Sequence, residues 1–170
     1  FPNWSNSKKA TYEVRVSRER INRILSLVTG IRNRNSLPIY LVGFSRGSVD
    51  AALFAKVYPK RIKGIVLSSG IYKNSSRKAK FYSMERLIGA NIAVAVLVAH
   101  HKNDSCKVTQ FRYAKAFYEN LNAPRKRAII VDGGVPTGRK CGPFHHHGFE
   151  NIEGDVAEGI AKWLVSDAVE

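Results

Sequence analysis

The sequence predicts an α/β protein with an open, mainly parallel sheet and helices on both of its faces. Short apolar runs of strand length alternate with segments of helical periodicity along the 170 residues. This alternation is typical of βαβ units, whose crossover helices make the strands parallel. No apolar run approaches the roughly 18 residues of a membrane span. Residues 1–170 are therefore predicted to form one domain, with a polar tail over residues 1–12.

The predicted elements follow one another in a regular order. Apolar stripes at helical spacing predict the helices Glu13–Arg32, Arg46–Val57, Thr109–Leu121 and Asn151–Val165, with a helical turn at Met84–Ile88. Apolar runs predict the strands Ile39–Val42, Ile62–Leu67, Ile92–Ala99 and Ala128–Val131. Thr109 is expected to cap the helix that it begins, and Trp163 is expected to anchor the core. The basic segment Tyr72–Lys80 is predicted to be a surface loop.

The net charge of +15 is high for a chain of this size. Such a charge is typical of a solubilising surface, or of a surface that attracts an anionic partner. The basic residues are scattered, and no nucleic-acid motif accompanies them, so no specific nucleic-acid partner is predicted.

The segment Gly43-Phe44-Ser45-Arg46-Gly47 has the pattern G-x-S-x-G. A predicted strand runs into it and a predicted helix leaves it, which is the setting of a nucleophilic serine on a sharp turn. A side chain at either glycine is expected to crowd a neighbouring element. At the start of a helix, the backbone N–H of Arg46 is the predicted oxyanion-hole donor.

A serine nucleophile needs a base that is oriented by a carboxylate. On this kind of sheet the acid is expected next along the chain, just past a later strand. Asp104 meets that condition after the third predicted strand. Asp132 is the competitor, one strand later, and Asp50 is expected to be a surface or capping group inside the second helix.

The base is expected among three consecutive histidines between the last strand and the last helix. His147 is the choice, with His146 and then His145 as alternatives. The chain has five histidines and two cysteines, which could suggest zinc. However, the spacings typical of zinc ligands are missing, so neither a metal nor a cofactor is predicted.

These residues resemble the α/β-hydrolase superfamily, in particular its small esterases and dienelactone-hydrolase-like members. The matching segments are 43–47, 96–104 and 147–149, within residues 38–165. The resemblance implies a serine hydrolase that cleaves a small ester through an acyl-enzyme. The alternatives are a peptidase of the same fold and a catalytically weak, hydrolase-like binding protein for anionic surfaces.

The chain departs from this superfamily before the serine. Several strands normally precede the turn, but the first 37 residues contain one predicted helix and a polar tail. The resemblance is therefore to a truncated domain, which leaves the second oxyanion donor undefined. The free edge of the Ile39–Val42 strand is expected to be covered by residues 1–12, by a second copy in a homodimer, or by a missing N-terminal piece.

Cys106 lies two residues after Asp104, and Cys141 lies six residues before His147. If acid and base meet, the two sulfurs must lie close together, so a disulfide is predicted between the two loops. Such a bond persists in oxidising compartments and favours a secreted or periplasmic location.

Overall fold

The computed structural model describes residues 11–73 and 81–169, with side chains up to residue 166. Its centre is a parallel sheet of four strands in the order β1-β2-β3-β4. The strands are β1 (Tyr40–Phe44), β2 (Gly64–Ser68), β3 (Ala95–His101) and β4 (Lys126–Val131). The predicted open, parallel sheet is thus confirmed, with each strand within three residues of its expected bounds.

The helices include one break that the periodicity did not reveal. They are α1 (Tyr12–Arg15), α2 (Arg18–Arg32), α3 (Gly47–Val57), α4 (Met84–Leu87), α5 (Phe111–Asn120) and α6 (Glu153–Val169). The single helix expected over Glu13–Arg32 is wrong, because Ser17 caps a new helix by accepting the N–H of Arg20 at 3.2 Å. Of the tail expected over residues 1–12, residues 1–10 lie outside the described residues. Tyr12 is not part of a tail, because it begins α1.

Helices cover both faces of the sheet, as predicted, but they cover them unequally. The larger core lies on one face, where α2, α3 and α5 pack against side chains such as Ile65 and Val96. On the other face α6 packs against Val66 and Leu97 through Trp163, which is 2% exposed. Trp163 is therefore a core anchor, as the sequence predicted.

The outer edge of β1 has no strand beside it within residues 11–73 and 81–169. Tyr40, Val42 and Phe44 point to the α6 face, since Tyr40 packs edge-on against Trp163. Val42 and Phe44 remain 58% and 43% exposed. Coverage of this edge by residues 1–10 lies outside the described residues, and the homodimer stays a prediction.

The loops beyond the strands contain few regular elements. Met84–Leu87 confirms the predicted helical turn, whereas the predicted loop Tyr72–Lys80 lies outside the described residues from residue 74 onward. Buried Glu150 anchors the glycine-rich loop after β4, because its carboxylate accepts the N–H and hydroxyl of Thr137 at 2.7 and 2.6 Å. None of the described helices is both long and apolar enough to span a bilayer.

Candidate active site

Ser45 occupies a sharp turn between β1 and α3. Its φ of 51° lies in the left-handed region, where a residue with a β-carbon is strained. Its N–H donates to the carbonyl of Ser68 at 2.8 Å, which ties the turn to the carboxyl end of β2. A β-carbon at Gly43 would collide with the backbone of Gly47 and Ser48. The sequence therefore forms this turn because glycine stands where the helix crosses over the strand.

The second glycine of the motif has a different role from the one expected. A β-carbon at Gly47 would meet no atom within 4 Å, so the predicted crowding at this position is wrong. The reason is that Gly47 begins α3 and its missing side chain would point away from the strand. The collision that requires glycine is at Gly43 alone of these two positions.

The start of α3 offers backbone donors beside Ser45. Within this turn, Ser48 and Val49 donate their N–H groups to the carbonyls of Ser45 and Arg46 at 3.1 and 3.2 Å. The N–H of Arg46 precedes these bonds, in the first turn, where helix N–H groups have no intrahelical acceptor. Together with the helix dipole, such a group favours an anion at this place.

The predicted acid and base lie in direct contact. His147 Nδ1 is 3.0 Å from Asp104 Oδ2, and the two residues are 1% and 6% exposed. His147 belongs to a short 3₁₀ turn, His146–Gly148, after the glycine-rich loop. Its ring also packs against the ring of Phe44, with centroids 5.2 Å apart. The imidazole thus lies beside the residue that precedes Ser45.

Thr109 contacts both residues of this pair, whereas the sequence predicted that it caps a helix. The expected helix cap is wrong, because α5 begins at Phe111 with Gln110 before it. The Thr109 hydroxyl instead donates to Asp104 Oδ2 at 2.8 Å and lies 3.0 Å from His147 Nδ1. Its side chain is 1% exposed, so this bond is made inside the protein. A threonine five residues after an acid gives no recognisable signal for such a contact.

The carboxylate of Asp104 is held by further donors. The N–H of Cys106 donates to Oδ1 at 2.9 Å, and His100 Nε2 lies 3.5 Å from Oδ2. Burial alone would raise the pKa of this carboxyl. The polar contacts with His100 and His147 and the hydrogen bond from the Cys106 N–H outweigh burial and hold the pKa of Asp104 well below its ordinary value. Asp104 is therefore an anion at neutral pH.

Ser69 links the turn of His147 to the turn of Ser45, and the sequence did not predict it. Its hydroxyl donates to the carbonyl of His147 at 2.8 Å, and it is fully buried with a φ of 43°. The preceding residue, Ser68, accepts the N–H of Ser45. Two consecutive residues at the end of β2 therefore hold the serine turn and the histidine turn. The Ser-Ser-Gly segment after an apolar run was the available signal.

The competing residues take other partners. His146 stacks on His101 with ring centroids 4.3 Å apart, and its Nδ1 lies 3.3 Å from the Asn103 carbonyl. The carboxylate of Asp132 is exposed and pairs with Lys102 at 2.6 Å. Burial, as the largest cause, lowers the pKa of His101, whose Nδ1 accepts the N–H of Asn103 at 2.9 Å.

Asp50 is not the surface or capping group that was expected. It is 7% exposed on α3, where its carboxylate binds Arg15 and, at 2.9 Å, Arg20. These ion pairs attach α1 and α2 to the helix that follows the turn of Ser45. Sequence position could not reveal this contact, because the partners lie 35 and 30 residues away.

The two cysteines form the predicted disulfide, with Cα atoms 4.7 Å apart. The bond joins the loop after Asp104 to the loop before His147. Within the ranges that the structure describes, no group of three or more histidine, cysteine or acidic side chains could hold a metal ion.

Several solved structures resemble this protein. The monoacylglycerol lipase of Paleococcus ferrophilus matches with a TM-score of 0.61 and 18% identity, over 88% of this chain and 75% of the lipase. Est1E from Butyrivibrio proteoclasticus matches with a TM-score of 0.62 and 14% identity, over 88% and 70%. The dienelactone hydrolase of Anabaena variabilis matches with a TM-score of 0.58 and 15% identity, over 86% and 58%.

The chain has the α/β-hydrolase fold. No protein-family model matches its sequence, and no curated protein matches it either. In an α/β-hydrolase fold with a parallel sheet, ligands bind beyond the carboxyl ends of the strands. Ser45 follows β1, Asp104 follows β3 and His147 follows β4, so the three residues share that edge.

Proposed function

We propose that this protein is a serine hydrolase that cleaves carboxylic esters. The observation that carries the proposal is the buried contact of 3.0 Å between His147 Nδ1 and Asp104 Oδ2, at the sheet edge that also carries the strained turn of Ser45. An oriented imidazole beside an exposed turn is what an otherwise weak hydroxyl needs for nucleophilic attack. The structural likeness to a lipase and to a dienelactone hydrolase supports the choice of ester chemistry.

In the proposed reaction, His147 Nε2 takes the proton of the Ser45 hydroxyl as the oxygen attacks the ester carbonyl. Asp104 stabilises the imidazolium and keeps the ring in its tautomer with a proton on Nδ1. The Arg46 N–H binds the developing oxyanion. The imidazolium then protonates the alcohol that leaves. Water, activated by the same base, releases the acid and restores Ser45, so no cofactor takes part.

A fluorophosphonate probe tests the nucleophile directly. We expect the wild-type protein to be labelled once, at Ser45, and Ser45→Ala to lose the label. Ser105→Ala is the matched control, because Ser105 is an exposed serine on the acid loop. Labelling that persists in Ser45→Ala, or no labelling of any variant, would refute the proposal. Turnover of p-nitrophenyl esters against peptide anilides then separates an esterase from a peptidase, and failure of both leaves the binding protein.

We also propose that the protein works in an oxidising compartment, secreted or periplasmic. The support is the disulfide between Cys106 and Cys141 beside the proposed acid and base. Intact mass with and without reduction before alkylation tests it. We expect two alkylated thiols after reduction and none before, and two free thiols in the native protein would contradict the proposal.

A further inference from the structure

Beside the turn of Ser45, an arginine lies on an aromatic platform. The guanidinium carbon of Arg46 is 5.2 Å from the centroid of the Tyr12 ring, a distance suited to a cation–π contact. Tyr12 in turn stacks on Tyr82, with ring centroids 5.6 Å apart and planes within 11°. Two tyrosines from distant parts of the chain therefore form a support beneath one exposed cation.

This cation has no acid to neutralise it in the described part of the chain. The ion pairs there engage other cations, and the acid beside Tyr12, Glu13, interacts with the Tyr82 hydroxyl. The nearby carboxylate of Asp50 is shared by two arginines from α1 and α2 and is buried beneath them. Among the residues that the structure describes, no carboxylate or other acceptor binds the exposed guanidinium of Arg46.

The platform belongs to the rim of the proposed active site. Arg46 directly follows Ser45, so its guanidinium lies within one side-chain length of the nucleophilic turn. Tyr82 leads into the α4 segment, where the N–H of Met84 donates to the Ile71 carbonyl at 2.9 Å. Ile71 lies just past the carboxyl end of β2, the same edge as Ser45. Tyr12 approaches that edge because the ion pair of Arg15 with Asp50 docks α1 on α3.

We infer that Arg46 selects anionic esters, whose carboxylate it binds while Ser45 attacks the ester carbonyl. This assignment rests on the proposed function and names its substrate class. A guanidinium binds a carboxylate through two parallel N–H donors. Because the tyrosine platform already restricts the Arg46 side chain, less conformational entropy is lost on binding. The net charge of +15 adds attraction at longer range. The carboxylate can belong to the acyl part or to the leaving group.

Two pairs of esters distinguish these two sources. For the acyl side, the anionic mono-p-nitrophenyl glutarate is compared with neutral p-nitrophenyl valerate. For the leaving group, anionic p-acetoxybenzoate is compared with its neutral methyl ester. The measured quantity is the ratio of kcat/KM for the anionic ester to that for the neutral ester, at low ionic strength. A general change in turnover cancels in this ratio.

We expect Arg46→Gln to lower the ratio about five- to tenfold in one of the two pairs, as for the loss of a charge-assisted hydrogen bond at a partly hydrated site. Arg46→Lys should keep part of the preference. Tyr12→Leu should lower the ratio less than Arg46→Gln, and Tyr12→Phe should leave it near that of the wild type. Added salt should reduce the wild-type preference.

Arg61→Gln is the matched control, because it removes an exposed arginine at the opposite, amino end of β2. An equal fall in Arg61→Gln and Arg46→Gln would show long-range charge alone and overturn the assignment. An unchanged ratio in Arg46→Gln would also overturn it, while hydrolysis of the neutral esters would leave the proposed function standing. If the wild type cleaves no ester, the proposed function fails, and the assignment fails with it.

Discussion

The shape of the turn that carries Ser45 depends mainly on five consecutive residues, whereas Asp104 and His147 meet across 43 positions of the chain. The turn depends on a local steric fact, since a β-carbon at Gly43 would strike the backbone of the following helix. The acid and base depend on contacts from other segments: the disulfide, the Thr109 hydroxyl and the Ser69 hydroxyl. Each of these must overcome the entropy of closing a loop.

The local turn and the long-range contact are therefore expected to fail in different ways. A local turn fails when a side chain no longer fits, and its loss is a matter of strain. A contact between distant segments is lost when a bond that holds the segments together is removed. The distance between Asp104 and His147 then increases, although the backbone of each loop can keep its conformation. Variants at His147, at the disulfide and at the two glycines of the turn distinguish these two kinds of failure.

The largest effect is expected at the base. His147→Gln should lower kcat/KM for esters about 10³-fold, which is within the range for removing a general base. His146→Gln is the matched control and should lower it by less than about threefold, because His146 contacts His101 and Asn103 instead of Asp104. Initial rates on p-nitrophenyl esters measure both. Comparable losses in the two variants would show that the assignment of His147 as the base is wrong.

The disulfide should contribute the largest share of tethering between the two loops. Replacing Cys106 and Cys141 together by alanine should lower the free energy of unfolding by about 3–4 kcal/mol, from the entropy of a closed loop of this length. Urea unfolding followed by circular dichroism measures it. Reduction of the wild type should give a similar fall. A difference below about 1 kcal/mol would show that other contacts already close the loop.

The two glycines of the turn should behave differently although they are chemically identical. Gly43→Ala should cost about 2–3 kcal/mol of unfolding free energy, because the added carbon overlaps the backbone of Gly47 and Ser48. Gly47→Ala should change it by less than about 1 kcal/mol, since the new carbon meets no atom and alanine favours helix. Thermal and urea unfolding compare them, and equal costs would contradict the local steric account.

Removing the hydroxyl of Thr109 should have a smaller effect. This hydroxyl binds Asp104, and Asp104 in turn positions His147. Thr109→Val keeps the shape of the side chain but removes a donor to buried Asp104, so we expect a loss of about 1–2 kcal/mol in stability. Turnover should fall with it, and Thr109→Ser should restore most of both quantities. If valine and serine give the same result, the hydroxyl does not position the pair.

The last effect is absent at neutral pH and should appear only in acid. The pKa of Asp104 is lower in the folded protein than its ordinary value of 3.8, so the unfolded chain binds this proton more readily. The stabilisation is therefore fully present above about pH 5 and is lost progressively as the pH falls further. Between pH 5 and pH 2, the free energy of unfolding should fall less for Asp104→Asn than for the wild type. Parallel pH profiles for the two proteins would contradict this.

The sequence predicted the parts of the site that local patterns express. The turn at Gly43 and Ser45 is predicted because a strand, a tight turn and a helix leave a recognisable series of residue types, and the structure has this turn. Asp104 and His147 were found because ends of parallel strands gather at one edge of a sheet, and their contact is present in the structure. Cys106 and Cys141 followed from that expected meeting, and their bond is confirmed.

The incorrect predictions have a common cause: the neighbouring residues in the sequence do not reveal what a residue contacts in the folded protein. Thr109 has the residue type of a helix cap, yet it bonds to an acid five positions earlier and approaches a histidine 38 positions later. Asp50 has the pattern of an exposed helical residue, yet two arginines from the preceding helices bury it. Gly47 matched the motif, but the space around it is open.

The amino-acid sequence alone specifies the alternation of strands and helices, the turn at Ser45 and the edge of the sheet at which the proposed site lies. Periodicity and steric exclusion act over a few neighbouring residues, so they are legible in the chain. Only the folded structure shows which hydroxyls hold Asp104 and His147, which arginines neutralise Asp50, and that Tyr12 and Tyr82 meet beneath Arg46. Those contacts depend on how whole elements pack, and packing is settled by the sum of many weak interactions across the fold.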